Sequence, residues 1–181
     1  MRIISGEHKG RRLVGGKKTE VRPTSDKVKE SIFNVLHEEV EGKRILDLFA
    51  GVGSLGIEAL SRGAESVTFV DASSQSINIL KKNLQDLSLE SKSTILHLDG
   101  LKALNKLKDK FQIIFADPPY LKGFVHRIIN LVAQSEVLEK NGILILEHHK
   151  KETFSFLEEK LSVLKQKKFG DTMISFFLKG G

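Results

Sequence analysis

A glycine-rich loop between a short apolar run and an apolar helix face constrains this chain most. Residues 44–46 read Arg-Ile-Leu, which predicts a buried strand, and residues 47–56 read Asp-Leu-Phe-Ala-Gly-Val-Gly-Ser-Leu-Gly. Because Gly51 and Gly53 have no side chain, the backbone can turn sharply there and a ligand can approach it closely. Free amides at the start of the following helix would face that ligand. The junction therefore predicts a nucleotide-like binding site at the end of a strand.

The glycine spacing alone does not choose the ligand. Gly51, Gly53 and Gly56 satisfy the G-x-G-x-x-G pattern of dinucleotide-binding loops. Asp47 adds information because it stands at the end of the strand and before the loop, where a carboxylate can meet a cationic part of a ligand. A pyrophosphate would be repelled at that position.

Strands and helices alternate after Gly42, which predicts a mostly parallel sheet with helices on both faces. Near the carboxyl end, a predicted helix over 153–161 precedes two strands joined by Gly170-Asp171, a pattern typical of an antiparallel hairpin at a sheet edge. The predicted fold is α/β, Rossmann-like and doubly wound, with a seven-stranded sheet. Its predicted strands cover residues 44–46, 66–71, 94–98, 111–116, 142–147, 163–168 and 173–178.

Residues before Gly42 predict a different kind of unit. Apolar and charged residues alternate over 2–14 around a turn at 6–10, as in a short hairpin. Thr24 or Ser25 can then cap an amphipathic helix. We therefore expect residues 1–42 to form a hairpin and helix extension, and residues 43–181 to form the sheet domain.

Positive charge is concentrated in the same extension. Residues 1–29 contain nine Lys or Arg and three acids, so they carry the whole net charge of +6. A basic segment of this kind indicates contact with a polyanion. The candidate nucleic-acid contacts are Lys9, Arg11, Arg12, Lys17, Lys18 and Arg22.

Composition excludes several other classes of function. The chain of 181 residues suits one domain, and its zero cysteines exclude disulfides, thiolate catalysis and zinc–thiolate sites. Its six histidines show no metal-ligand spacing. No apolar run is long enough to span a bilayer, and no leader pattern follows Met1. We expect a cytoplasmic monomer with no metal and no membrane contact.

Four successive predicted strands end in or near an acid, namely Asp47, Asp71, Asp99 and Asp117. Ligands of open parallel sheets bind at this edge. Asp71 can accept both hydroxyls of a ribose, and Asp99 can meet an adenine amine or cap a helix. These acids do not separate a dehydrogenase from other enzymes that use a nucleoside cofactor.

The run Asp117-Pro118-Pro119-Tyr120 does separate a dehydrogenase from other enzymes that use a nucleoside cofactor. Two prolines fix the backbone and remove two amide donors, so the carbonyls stay in one orientation. Tyr120 can stack on a flat base. Rigid acceptors beside a stacking ring would hold a planar group with its exocyclic amine directed at a neighbouring electrophile.

Residues 47–54 together with Asp117-Pro118-Pro119-Tyr120 resemble the S-adenosylmethionine-dependent methyltransferases that modify exocyclic amines. Residues 2–6, 9–13, 22–26 and 31–34 look like the RsmD type within that class, the bacterial 16S rRNA guanine-N2 methyltransferases. The likeness runs over nearly the whole chain. It implies S-adenosylmethionine as cofactor and 16S rRNA or the small ribosomal subunit as partner.

The resemblance also implies roles for individual residues. Asp47, Gly51 and Gly53 would line the methionine end of the cofactor, with Phe49 in the same cofactor-binding set, while Asp71 would bind the ribose and Asp99 would lie at the adenine side. In the catalytic set of Asp117, Pro118, Pro119 and Tyr120, the Asp117 carboxylate and the Pro118 carbonyl would bind the target amine, and Tyr120 would stack on the base. The family commonly has glutamate where this chain has Asp71.

Three alternatives remain open from the residues. The same chemistry could act on DNA adenine or protein glutamine, although the chain lacks a separate target-recognition domain and its amino-terminal segment is basic. A non-catalytic RNA-binding module would show damaged motifs, and none are visible. A dehydrogenase is the remaining alternative.

Overall fold

The computed structural model describes residues 1–15, 26–155 and 160–180. Over these residues the chain forms one seven-stranded sheet with the strand order β3-β2-β1-β4-β5-β7-β6. The strands are β1 Arg44–Leu48, β2 Ser66–Asp71, β3 Ser93–His97, β4 Phe111–Ala116, β5 Leu138–His149, β6 Leu161–Phe169 and β7 Thr172–Lys179. The helices are α1 Asp26–Leu36, α2 Ser54–Ser61, α3 Ser74–Asp86, α4 Gly100–Lys106 and α5 Phe124–Gln134, with short 3₁₀ turns at His37–Val40 and Glu90–Lys92.

The sheet confirms the predicted fold class. Strands β1 to β5 pair in parallel, whereas β7 is antiparallel to both β5 and β6. The chain winds outward to β3 from one side of β1 and outward through β4 from the other side. The order therefore reverses between β1 and β4, which is where a doubly wound sheet opens a crevice at its carboxyl edge.

Alternation along the strands gives each face of the sheet its own core. Odd-numbered β1 residues such as Ile45 pack with α1, α2 and α3, and even-numbered ones such as Leu46 pack with α4 and α5. Asp47 shares the parity of Ile45 and so points to the α2 face. Both faces are thus covered, as expected for parallel strands.

Strand and helix bounds differ from the predicted ones in a few places. Strand β5 begins at Leu138 rather than 142, and the short helix α4 follows β3, where the sequence offered Asp99 as a possible helix cap. The predicted helix over 153–161 is wrong where the structure describes it, because residues 153–155 are not helical and β6 begins at Leu161. Phe154 there packs its ring against His148 and Phe177, which holds this stretch against the sheet. Residues 156–159 of that prediction lie outside the described residues.

The amino-terminal segment turns back on itself through Gly6–Gly10 and is bonded along its whole described length to the helices behind it. Ile3 and Leu13 are buried in the same apolar cluster as α2 and α3. The Ile3 amide donates to the Arg11 carbonyl at 2.9 Å, and Arg2 and Arg12 form a single antiparallel bridge. The predicted hairpin is therefore present, and its core is continuous with that of the sheet. The division into 1–42 and 43–181 stays a prediction.

Candidate functional site

The Asp47 side chain holds the end of the glycine loop by a hydrogen bond. Its side chain is only 3% exposed, and its Oδ2 accepts a hydrogen bond from the Gly56 amide at 2.9 Å, inside the first turn of α2. Burial, with Asp71 nearby, raises the pKa of Asp47 to about 7, although the Gly56 amide opposes this shift. Asp47 is thus a carboxylate whose charge would be stabilised by a cation placed beside it.

Asp71, at the end of β2, holds the middle of the glycine loop by a hydrogen bond. Its Oδ2 accepts from the Gly51 amide at 2.7 Å and its Oδ1 accepts from the Ser73 amide at 2.8 Å. Each carboxylate oxygen has two lone pairs, so both remain able to accept one more hydrogen bond. Asp71 can therefore position the loop and accept two ribose hydroxyls at the same time.

The glycine loop, α4 and α5 meet around the ring of Phe49. Phe49 has a φ of 62° and its ring lies 5.6 Å from that of Phe124, edge to face. A Cβ at Gly100 would come within 2.7 Å of the same ring. Asp99 caps α4 by accepting from the Lys102 amide at 3.0 Å. The loop, α4 and α5 thus meet at the carboxyl edge of the sheet, where ligands of open parallel sheets bind.

Two observations test whether these residues fit S-adenosylmethionine. Gly51 has a φ of 55°, and a Cβ built on it would meet no atom of the described residues within 4 Å, so the backbone there is open toward a ligand. The Ser54 hydroxyl, at the start of α2, is buried and has no hydrogen-bond partner among the residues that the structure describes. An open glycine backbone, a buried hydroxyl and the acids Asp47 and Asp71 suit a ligand that carries both a ribose and a cation.

The run from Asp117 to Tyr120 leaves β4 at the same edge. Asp117 is half-buried, Pro118 is buried and Pro119 is exposed. Strand β4 pairs with β1 through Leu48 and Ala116, the last residues of both strands. The Asp-Pro-Pro-Tyr run and the glycine loop therefore begin side by side on neighbouring strands.

The Tyr120 ring is held by two residues of the carboxyl-terminal half. Its hydroxyl donates to Glu147 Oε1 at 2.6 Å and lies 3.0 Å from Thr172 Oγ1. Because Tyr120 uses its proton toward Glu147, Thr172 donates to the phenol oxygen. Burial and the adjacent Glu147 raise the pKa of Tyr120 above its usual range, so it stays a neutral phenol. The ring is fixed in place rather than free to rotate.

The sequence predictions missed Glu147 and Thr172, and also Glu152, whose Oε1 accepts from the Leu121 amide at 3.0 Å. Glu147 stands near the end of β5, so the same rule that selected the acids after β1 to β4 would have found it. Thr172 comes to Tyr120 only because β7 inserts antiparallel beside β5, with His149 opposite Thr172. No local sequence pattern predicts that pairing.

The predicted RNA-binding residues are only partly described. Lys9, Arg11 and Arg12 are exposed, and an Arg11 guanidinium nitrogen donates to the Asp86 carbonyl at 2.8 Å. Lys17, Lys18 and Arg22 lie outside the described residues. In residues 1–15, 26–155 and 160–180, no three His, Asp or Glu side chains group as metal ligands, and no helix there is long and apolar enough to cross a membrane.

The strand order, the glycine loop after β1 and the acids at the strand ends define the class I methyltransferase fold. Solved structures that are similar to this chain have the same fold. The protein yhhF from Escherichia coli matches with a TM-score of 0.90 at 28% identity, over 99% of this chain and 98% of that one. The protein HI0767 from Haemophilus influenzae matches with a TM-score of 0.85 at 32% identity, over 99% of this chain and 98% of that one.

Proteins of similar sequence indicate which methyltransferases this chain is related to. A Haemophilus influenzae protein named ribosomal RNA small subunit methyltransferase D is 36% identical, over 94% of this chain and 89% of its own length. The family model described as Conserved hypothetical protein 95 matches residues 1–178. The chain belongs to this family, which confirms the resemblance found in the sequence.

Proposed function

We propose that this protein transfers a methyl group from S-adenosylmethionine to the exocyclic N2 amine of a guanine in small-subunit rRNA. One observation carries the proposal: the glycine loop after β1 and the Asp-Pro-Pro-Tyr run after β4 leave adjacent, hydrogen-bonded strands at Leu48 and Ala116. A cofactor on the loop and an amine at Asp117 would then share one crevice. The relatives named small-subunit rRNA methyltransferases supply the substrate class.

The chain's own residues would act by positioning. S-adenosylmethionine supplies a methyl group that is already activated on a sulfonium. Asp47, Gly51 and Gly53 would hold its methionine end, with Phe49 beside them, Asp71 would accept the ribose hydroxyls, and Asp99 would lie toward the adenine. Correct placement of two reactants can lower a barrier by about 7–11 kcal/mol at best, so the protein needs no nucleophile of its own.

Asp117 and Pro118 would hold the amine. The Asp117 carboxylate and the Pro118 carbonyl would accept its two hydrogens, orient the nitrogen lone pair and stabilise the positive charge that develops on nitrogen. Pro119 keeps that turn rigid because its ring fixes the backbone. Tyr120, whose hydroxyl is bonded to Glu147, would present its ring to the face of the base.

A base-paired guanine cannot present its amine in this way. The target is therefore a nucleotide in a loop or one that is flipped out of its stack. We propose that residues 1–42 bind nearby phosphates through Lys9, Arg11, Arg12, Lys17, Lys18 and Arg22. Such binding would weaken steeply as salt rises, because each phosphate contact releases counterions.

A substrate panel tests the proposal against its alternatives. Labelled cofactor is incubated in parallel with small ribosomal subunits, naked rRNA, DNA and a release factor. Asp117→Ala is the inactive variant, and Asp109→Ala, which changes an exposed acid just before β4 begins, is its matched control. Label should enter rRNA with the wild type and with Asp109→Ala. Label in DNA or in the release factor but not in rRNA would refute the proposed substrate.

A further inference from the structure

Leu121, the residue after Tyr120, is both exposed and conformationally strained. Its side chain is 61% exposed, and its φ is 57°. The left-handed region is unfavourable for a branched apolar side chain, whereas glycine and asparagine adopt it readily. Neither burial of the side chain nor backbone preference accounts for leucine here.

The strained residue is nevertheless held in place. Glu152 Oε1 accepts from the Leu121 amide at 3.0 Å, and Glu152 Oε2 accepts from the His149 amide at 2.9 Å. A single carboxylate therefore ties the turn after β4 to the end of β5. Because Tyr120 is also bonded to β5 and β7, Leu121 projects from a rigid turn rather than from a loose loop.

The surroundings of Leu121 indicate what it meets. Pro119, the residue before Tyr120, is also exposed, so exposed apolar residues precede and follow Tyr120 in the chain. Lys122, Lys150 and Lys151 are exposed at the same ends of β4 and β5, and Lys150 pairs with Asp171 at 2.7 Å. An exposed apolar side chain at a strand end that also carries exposed lysines suits stacked bases between phosphates better than it suits an apolar protein surface.

We propose that Leu121 is an apolar wedge that occupies the space left in the RNA stack when the target nucleotide turns into the site. The proposal rests on the proposed function, because it requires an RNA substrate whose base leaves its stack. A side chain that fills the gap disfavours return of the base, which otherwise restacks. Leu121 would then be a positioning residue, since it contacts the neighbouring bases and not the reacting atoms.

Three variants separate the wedge from a structural role. Leu121→Asn suits the left-handed backbone and removes the apolar side chain, whereas Leu121→Met keeps an apolar side chain. Leu164→Asn is the matched control, because Leu164 is 52% exposed on the edge strand β6. The measurements are the unfolding midpoint, the dissociation constants of S-adenosylmethionine and rRNA, and the methyl-transfer rate when both are saturating.

The wedge predicts that Leu121→Asn keeps or raises the unfolding midpoint and changes both dissociation constants by less than about threefold. Its transfer rate to rRNA should fall on the order of tenfold or more, while Leu121→Met and Leu164→Asn stay within about threefold of the wild type. A wild-type rate for Leu121→Asn, or equal losses for the Asn and Met variants, would overturn the wedge. If the wild type transfers no methyl to rRNA, the proposed function fails first and the wedge fails with it.

Discussion

Asp47 combines a structural hydrogen bond with a proposed contact to the ligand. It ties the end of β1 to the first turn of α2 through the Gly56 amide, and it lies under the loop where a cationic ligand would sit. The price in stability is its desolvation, which raises the pKa to about 7. A cationic cofactor would reverse that shift by favouring the charged form.

The raised pKa of Asp47 predicts a change of stability with pH. The ordinary pKa of 3.8 applies in the unfolded chain and about 7 applies in the folded chain, so the folded state binds the proton more tightly. That contribution to stability is complete below the unfolded pKa and is lost as the pH rises through 7. From about pH 5.5 to 8, the wild type should lose about 2 kcal/mol of unfolding free energy that Asp47→Asn does not lose. Urea unfolding measures this difference, and parallel curves for the two proteins would contradict it.

Two substitutions of Tyr120 separate the contribution of its ring from that of its hydroxyl. Tyr120→Phe keeps the ring and loses the bond to Glu147, whereas Tyr120→Ala loses the surface on which the base stacks. Stacking of a base on an aromatic ring contributes about 1–3 kcal/mol, so Tyr120→Ala should lower kcat/KM for rRNA by about 10- to 100-fold. Tyr120→Phe should lower it by less than about tenfold. Equal losses in steady-state kinetics would show that the hydroxyl, not the ring, matters.

At the scale of elements, helix α2 joins the amino-terminal segment to the cofactor loop. Glu58 on α2 is fully buried and accepts from the Ile4 and Ser5 amides at 2.8 and 3.0 Å. It also pairs with the buried Lys29 of α1 at 3.3 Å and with Arg62 at 2.9 Å. Burial lowers the pKa of Lys29, and Glu58 opposes that shift. One carboxylate thus holds the hairpin, α1 and α2 together.

The buried pair predicts a large loss of stability when one partner is removed. Lys29→Met leaves Glu58 with only Arg62 and two amides as partners, and breaking a buried ion pair costs about 3–5 kcal/mol. The expected loss of unfolding free energy is about 3 kcal/mol, at the lower end because those partners remain. Lys27→Met, an exposed position on the same helix, should change it by less than about 0.5 kcal/mol. A loss below about 1 kcal/mol for Lys29→Met in chemical denaturation would contradict this account.

The elements with a strong local pattern are those that the sequence predicted best. Strands β2 and β4 match their predicted bounds because their apolar runs end in an acid or a proline. Helix α4 is only seven residues long, too short for a repeating apolar pattern, so the sequence indicated only its possible cap, Asp99. The error over 153–155 has a tertiary cause, since Phe154 packs on His148 and Phe177 rather than on a helix neighbour.

In the candidate site too, local sequence patterns predicted some residues and missed others. The glycine loop, Asp71, Asp99 and the Asp-Pro-Pro-Tyr run were recognisable because each combines a strand end with residues of special chemistry. The contacts of Tyr120 with Thr172 and of Leu121 with Glu152 span 52 and 31 residues. They depend on how β5, β7 and the turn after β4 come together, which no short stretch of sequence encodes.

At the scale of the whole molecule, the predicted RNA-binding segment and the cofactor loop are physically linked. The buried Asn83 of α3 accepts from the Val14 amide at 2.8 Å, and its Nδ2 lies 3.1 Å from the Val14 carbonyl and 3.0 Å from the Val52 carbonyl. Val14, near the end of the described part of this segment, is therefore fixed beside the glycine loop. RNA bound by that segment would be held near the mouth of the site.

Charge neutralisation tests the division of labour across the molecule. Replacing Arg11, Arg12, Lys17 and Lys18 with glutamine should weaken rRNA binding and reduce its salt dependence by a log–log slope of up to about 3, while cofactor affinity stays unchanged. The matched control replaces Lys106, Lys108, Lys110 and Lys140, four exposed lysines near the starts of β4 and β5. Equal effects of the two sets on rRNA binding, or a parallel loss of cofactor affinity, would contradict the assignment.

The central claim is the identity of the methylated atom. Small-subunit rRNA is incubated with labelled cofactor and the wild type, Asp117→Ala or Asp109→Ala, then digested to nucleosides and separated against standards. We predict label in N2-methylguanosine with the wild type and with Asp109→Ala, and none with Asp117→Ala. Label in N6-methyladenosine, or label in N2-methylguanosine that persists with Asp117→Ala, would contradict this account of the site.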